Sequence, residues 1–172
     1  IISYDKAFQN GAIVSGLVDK DCNLNKKALR EFIRTKPDGE FEWQKLQGYV
    51  YGEGINEAVL FPGVYRFLWR CKQRKIDVEI VSHKTEFGHF DSKKISLRES
   101  ATNFLKNHGL LDAKNPLIKK VTYKGTKTKK IDYIKENNFE LFIDDLEEII
   151  FSNEFKGQKG MLFSQDNLPI KV

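Results

Sequence analysis

From Pro62 onward the chain alternates between two periodicities, and this alternation limits the folds open to it more than any other feature. After Phe61-Pro62-Gly63, the residues Val64, Phe67, Leu68 and Cys71 recur at helical spacing, and Lys72 to Lys75 supply the positive end that a helix dipole favours. Ile76-Asp77-Val78-Glu79-Ile80-Val81 follows at once and is rich in β-branched residues, so it predicts a strand. A polar loop leads to a helix with Leu97, Ala101, Phe104 and Leu105 on one face and Gly109 where a C-terminal cap belongs. Leu117-Ile118 and Val121-Thr122-Tyr123 predict a second strand. Thr126 or Thr128 then caps a helix carrying Ile131 and Ile134 and ending near Asn137-Asn138, and the bulky residues of Phe139 to Ile143 predict a third strand. Met161-Leu162-Phe163 offers a last short strand before a polar tail. Three helix-then-strand units with connections of crossover length predict an α/β protein, with a parallel sheet flanked by helices.

The first part of the chain reads as helical. Ile1 to Phe8 is short and quickly polar, the end of an element and not a whole strand, while Gly11 to Val18 fits a short helix or a β segment. From Asn23, a suitable N-cap, the residues Leu24, Ala28, Leu29, Phe32 and Ile33 follow helical spacing until Pro37-Asp38-Gly39 breaks it. A second helix is predicted from about Phe41 to Tyr51, with Trp43, Leu46 and Val50 on one face. Gly52-Glu53-Gly54 ends it, and Ile55 to Leu60 has room for one more turn.

The length of 172 residues suits one domain, and 40% hydrophobic with 31% charged residues suits a soluble globular one. No apolar run approaches the roughly 20 residues that span a bilayer, and no leader pattern is present, so neither membrane insertion nor secretion is expected. Cys22 and Cys71 stand alone, without metal or disulfide spacing, which points to free thiols in a reducing, cytoplasmic setting. The net charge of +5 attracts anions. The densest basic run, Lys119 to Lys130, suits nucleic acid, a phosphorylated small molecule or simply a solvated face.

Three polar clusters fall at predicted strand ends, where ligands bind in open parallel sheets. Ser82-His83-Lys84-Thr85 closes the first strand. Thr126 to Lys130 opens the helix after the second. Asp144-Asp145 closes the third, where adjacent carboxylates serve either as an acidic helix cap or as ligands for a cation such as Mg²⁺. A hydroxyl, an ammonium and a carboxylate pair together suit a phosphate bound beside Mg²⁺. His89 and His108 lack partners for a histidine metal site.

Val78-Glu79-Ile80-Val81-Ser82, then Lys127 or Lys130, then Phe142-Ile143-Asp144-Asp145 resembles the haloacid dehalogenase superfamily of phosphohydrolases and phosphoryl-transfer enzymes, over residues 62 to 150. The wording of Ser82-His83-Lys84-Thr85 and of Phe142 to Leu146 looks like a bacterial subgroup of it. The resemblance implies a Rossmann-like sheet, Mg²⁺ dependence, an aspartyl-phosphate intermediate and a small phosphorylated metabolite as substrate. It implies that Ser82 hydrogen-bonds the transferring phosphoryl group, that Lys127 or Lys130 neutralises its charge, and that Asp144, assisted by Asp145, holds Mg²⁺. His83 and Lys84 become candidates for substrate contact. Residues 1–7 and 61–172 would form the core and 8–60 a helical cap-like insertion, unless those helices simply pack on the sheet. Gln47, Tyr49, Tyr51 and Glu53 of that insertion would face substrate or belong to its core and rim.

One family motif, hhhDxDxT, has no counterpart in these residues. In the string Ile1 to Gln9, Ala7 and Gln9 stand where the second Asp and the Thr belong. Asp5 would be a nucleophile without its partner. The better reading places Ile1 to Asp5 just downstream of that motif, with the nucleophile upstream of Ile1, and expects no phosphatase activity from these 172 residues. The alternatives are a noncatalytic module binding nucleic acid or another polyanion through Lys119 to Lys130, and a degenerate family member kept as a scaffold.

Overall fold

The computed structural model describes residues 1–164, so the polar tail at 165–172, which closes the expected core, lies outside the described residues. The elements are β1 (Ile2–Ser3), α1 (Asp5–Val14), α2 (Lys26–Arg34), α3 (Gly39–Tyr51), β2 (Val59–Leu60), α4 (Val64–Gln73) and β3 (Glu79–His83). They continue with α5 (Leu97–Asn107), β4 (Lys120–Lys124), α6 (Lys127–Glu136), β5 (Phe142–Asp144), α7 (Glu147–Ile150) and β6 (Gly160–Leu162). This is an α/β protein. Its chain divides into two compact units, one of Ile1–Ile80 with Thr85–Val121 and the other of Val81–Lys84 with the described residues from Thr122 on.

In the first unit α1, α2 and α3 pack on one another. Phe8, Leu29, Ile33, Trp43 and Val50 lose all or nearly all contact with solvent, each worth about 1.5–3 kcal/mol relative to exposure. The Phe8 and Trp43 rings stack at 4.9 Å between centroids. Gly11 to Val14, open between helix and β in the sequence, completes α1. The N-cap of α2 is Asn25 and not the expected Asn23, since the Asn25 side chain accepts the Ala28 N–H at 2.9 Å. Phe32, expected in the core, is 44% exposed: Leu29 and Ile33 occupy the centre of the buried stripe and Phe32 falls at its margin. There it lies under the Lys36 ammonium, 4.7 Å from the ring centre. Gly39 does not break the pattern but begins α3, packed so closely on α2 that a Cβ there would meet the Ile33 carbonyl oxygen at 2.2 Å. Beyond α3 a 3-10 turn spans Glu53–Glu57.

The same unit holds a second apolar cluster, in which Leu68, Leu105, Leu110, Leu117 and Ile118 are buried and Val64, Val78 and Ile80 pack against them. Two helices end here alike. The Ile76 N–H reaches the Cys71 carbonyl at 2.9 Å while Lys75 takes a positive φ of 58°, and the Leu110 N–H reaches the Leu105 carbonyl at 3.0 Å with Gly109 at φ 69°. Both are Schellman closures. The first explains why β3 starts at Glu79 and not at the expected Ile76, which finishes the helix end and is 51% exposed. Phe67, also expected in the core, is 49% exposed because Val64, Leu68 and Cys71 define the inward stripe.

In the second unit Val81, Ile131, Ile134, Ile149 and Phe155 form the buried cluster, with Tyr133, Phe139, Phe142 and Ile150 packed around it. β5 and β6 run parallel, with Phe142 opposite Gly160 and Asp144 opposite Leu162. β5 is shorter than expected, beginning at Phe142 and not at Phe139. Hydrogen bonding divides the strands into three ladders, β1 with β2, β3 with β4 and β5 with β6, where the sequence predicts one sheet. The first is antiparallel. Along the second, Val78 is joined to Lys119 and Lys84 to Lys124, so partners advance together as in a parallel pair.

Candidate functional site

The site residues expected from the sequence all fall in the second unit. Asp144 owes its position to strand alternation: Phe142 and Asp144 point to the face that α6 covers, while Ile143 points away and is 40% exposed. Lys130 owes its position to the helix. Thr126 caps α6, its hydroxyl accepting the Lys129 N–H at 3.2 Å, so Lys130 lies one turn in and shares the inward face with Ile131 and Ile134. The Lys130 Nζ donates to Asp144 Oδ2, and the two side chains are only 6% and 7% exposed. The ammonium also lies 5.3 Å from the centre of the Phe142 ring. Asp144 Oδ1 accepts the Leu146 N–H at 3.0 Å, and the Asp144 carbonyl accepts the Phe163 N–H at 2.7 Å.

The acidic pair is therefore divided. Asp144 is buried and engaged at both oxygens, while Asp145, at the bend after β5, is exposed and carries no side-chain hydrogen bond or ion pair among the described residues. Of the two lysines that the sequence leaves open, Lys130 meets the pair and Lys127 meets Glu148 at 2.9 Å. Ser82 lies within β3 and not beyond its end, half-buried, and the exposed His83 is its last residue. Neither side chain makes a hydrogen bond or ion pair among the described residues. The Lys84 N–H donates to the Lys124 carbonyl at 3.0 Å. The structure thus joins Lys130 to Asp144, but no direct contact draws Ser82, His83 or Lys127 to that pair.

Two carboxylates on successive residues fit Mg²⁺ in donor type and number, because this ion keeps several waters and takes only one or two carboxylates. Asp145 has both oxygens available, and Asp144 keeps lone pairs beyond the bonds to Lys130 and Leu146. No group of three or more His, Cys, Asp or Glu side chains suited to a metal occurs among the described residues.

Other candidates are placed elsewhere. Asp5 opens α1 and its Oδ1 accepts the backbone N–H of Lys26 at 3.0 Å, satisfying the first turn of α2. Tyr51 packs edge-on against Phe8 and its hydroxyl accepts from the Lys26 Nζ at 2.9 Å, while Glu53 pairs with Lys93 at 2.8 Å. Tyr49 is 37% exposed and Gln47 half-buried. Half of the lysine run is ion-paired within the fold: Lys119 pairs with Asp77 at 2.6 Å, and Lys127 and Lys130 have the carboxylates just named, while Lys124 lies over the Tyr133 ring. Residue spacing did not disclose Glu148 as a partner. A signal did exist for Lys130, since a lysine one turn before Ile134 and beside Ile131 lies on the apolar stripe and must be paired if buried.

Helices and short strands, two of them paired in parallel as β5 and β6, define the class as α/β, and the buried cation–carboxylate pair sits at the end of β5. The chain is similar in fold to the crystal structure of a hydrolase from Streptococcus pneumoniae TIGR4, with a TM-score of 0.53 over 94% of this chain and 85% of that one, at 14% sequence identity. No family model matches the chain, and comparison with curated proteins yields no match.

Proposed function

We propose that this chain belongs to a Mg²⁺-dependent phosphohydrolase or phosphoryl-transfer enzyme of haloacid dehalogenase type, acting on a small phosphorylated metabolite. The observation that carries this reading is the buried pair of Lys130 and Asp144 next to the exposed Asp145. Likeness of fold to a hydrolase supports the hydrolytic class. Mg²⁺, held by Asp145 and Asp144, would neutralise phosphoryl charge. Lys130 fixes the orientation of Asp144, and Ser82 offers its hydroxyl to a phosphoryl oxygen. His83 and Lys84 contact the rest of the substrate. Lys127, engaged by Glu148, serves as the outer cation. The 172 residues contain no DxDxT run, so in this reading the attacking carboxylate comes from outside them, and residues 8–60 act as the cap that selects substrate.

Calorimetric titration of the 172-residue chain with Mg²⁺, with and without inorganic phosphate, tests the proposal. Mg²⁺ binding that strengthens phosphate binding and is lost in Asp145→Asn is the expected result; heats unchanged by Asp145→Asn and Asp144→Asn overturn it. An aryl phosphate assay of the same chain is expected to give no turnover. Robust turnover abolished by Asp5→Asn would instead put the nucleophile within the chain.

A further inference from the structure

Between Pro62 and Ile76 the sequence has five cationic residues and no acidic one. Arg66, Arg70 and Arg74 follow at intervals of four, so along α4 and its C-terminal cap they repeat about every 6 Å on one side. All three are exposed, and none makes an ion pair or side-chain hydrogen bond among the described residues. This separates them from the lysine run, in which Lys119, Lys127 and Lys130 each meet a carboxylate. Beside them stand three large rings that the fold leaves in solvent: Tyr65 at 55%, Phe67 at 49% and Trp69 at 50% exposure. No carboxylate or ring contact engages these aromatics among the described residues, and the helix is held from its other side by Leu68 and Cys71.

We infer that this outer face of α4 is a binding surface for a single-stranded polynucleotide, with Arg66, Arg70 and Arg74 meeting phosphates and Tyr65, Phe67 and Trp69 stacking on unpaired bases. Charge complementarity requires a polyanion. Guanidinium groups bind phosphate through paired N–H donors, and exposed rings beside them give sequence-tolerant platforms for bases. A duplex keeps its bases stacked inside and leaves the rings without a role. An anionic bilayer is a poorer occupant, because inserting Tyr65 and Trp69 would drive Arg66 and Arg70, which adjoin them, into the acyl region. A second copy of the same face would set arginine against arginine. The inference is independent of the phosphohydrolase reading, since α4 contributes no residue to that site.

The test is fluorescence anisotropy of the 172-residue chain with labelled oligothymidylate across a salt series. The expected slope of log affinity against log salt is about −2, from about −0.7 for each of three phosphates neutralised. Arg66→Ala with Arg70→Ala and Arg74→Ala should bring the slope close to zero. Trp69→Ala should weaken binding about tenfold and leave the slope unchanged. Both variants alter exposed side chains, and unchanged circular dichroism and thermal melting would show that they fold. The inference is overturned if binding is insensitive to both, if the matching duplex binds as tightly, or if only alanines at Lys120, Lys124 and Lys129 abolish binding. Trp69-dependent flotation with phosphatidylserine–phosphatidylcholine vesicles, without oligonucleotide binding, would overturn it in favour of a lipid surface.

Discussion

The ammonium of Lys130 and the carboxylate of Asp144 meet inside the second unit, joining the first turn of α6 to the end of β5 with both side chains almost wholly out of solvent. Removing one partner leaves the other charge buried and unpaired. Lys130→Ala or Asp144→Ala should therefore each cost about 3–5 kcal/mol, whereas Lys130→Met combined with Asp144→Leu should cost far less or nothing. Urea denaturation of the three variants measures this, and a double variant as unstable as the singles would contradict it.

Gly39 and Gly109 should respond differently to substitution. A Cβ at Gly39 strikes the backbone of α2, so both Gly39→Ala and Gly39→Asn should lower stability by about 1–3 kcal/mol through forced displacement. At Gly109 there is open space around the position but a φ of 69°. Alanine there should cost about 1–2 kcal/mol and asparagine, which tolerates the left-handed region, distinctly less. Thermal melting of the four variants separates a steric cause from a conformational one.

Capping of α2 gives a third expectation. Asn25→Ala removes the acceptor for the Ala28 N–H and should cost about 1 kcal/mol, while Asn23→Ala should stay within about 0.5 kcal/mol of the parent. Equal effects at the two positions would show that the cap is misassigned.

Lys119 titrates above its ordinary value of 10.5, chiefly because it donates a hydrogen bond to Asp77, with charge attraction adding and desolvation opposing. A raised folded-state value means that this pair's stabilisation is fully present below the unfolded pKa and is lost as pH rises through the folded one. The window is thus alkaline, beginning near 10.5. Because the pair is exposed, its contribution should be small and fade with added salt. NMR titration of the Lys119 side chain should show the value returning to normal in Asp77→Asn.

The order of helices and strands from Pro62 onward was legible from the sequence, because periodicity depends on which residues face inward and that choice is local. Leu97, Ala101, Phe104 and Leu105 are all buried as their spacing predicts, and Thr126 caps α6. Ends were less legible. Ile76 is β-branched and suits a strand, yet it completes the Schellman closure of α4, and Asn25 in place of Asn23 caps α2. Local chemistry allows either outcome in both cases, and packing selects between them.

The sequence by itself determined that two carboxylates stand at the close of the third strand and that lysines gather at the start of the preceding helix. Only the tertiary structure decided that Asp144 is buried and bonded to Lys130 while Asp145 faces solvent, and that Lys127 is turned to Glu148. It also decided that Lys119, Lys127 and Lys130 of the lysine run are paired whereas the arginines of α4 are not, among the described residues. The reason is physical: charge is counted along the chain, but its availability depends on which opposite charges and apolar surfaces the fold brings within a few ångströms.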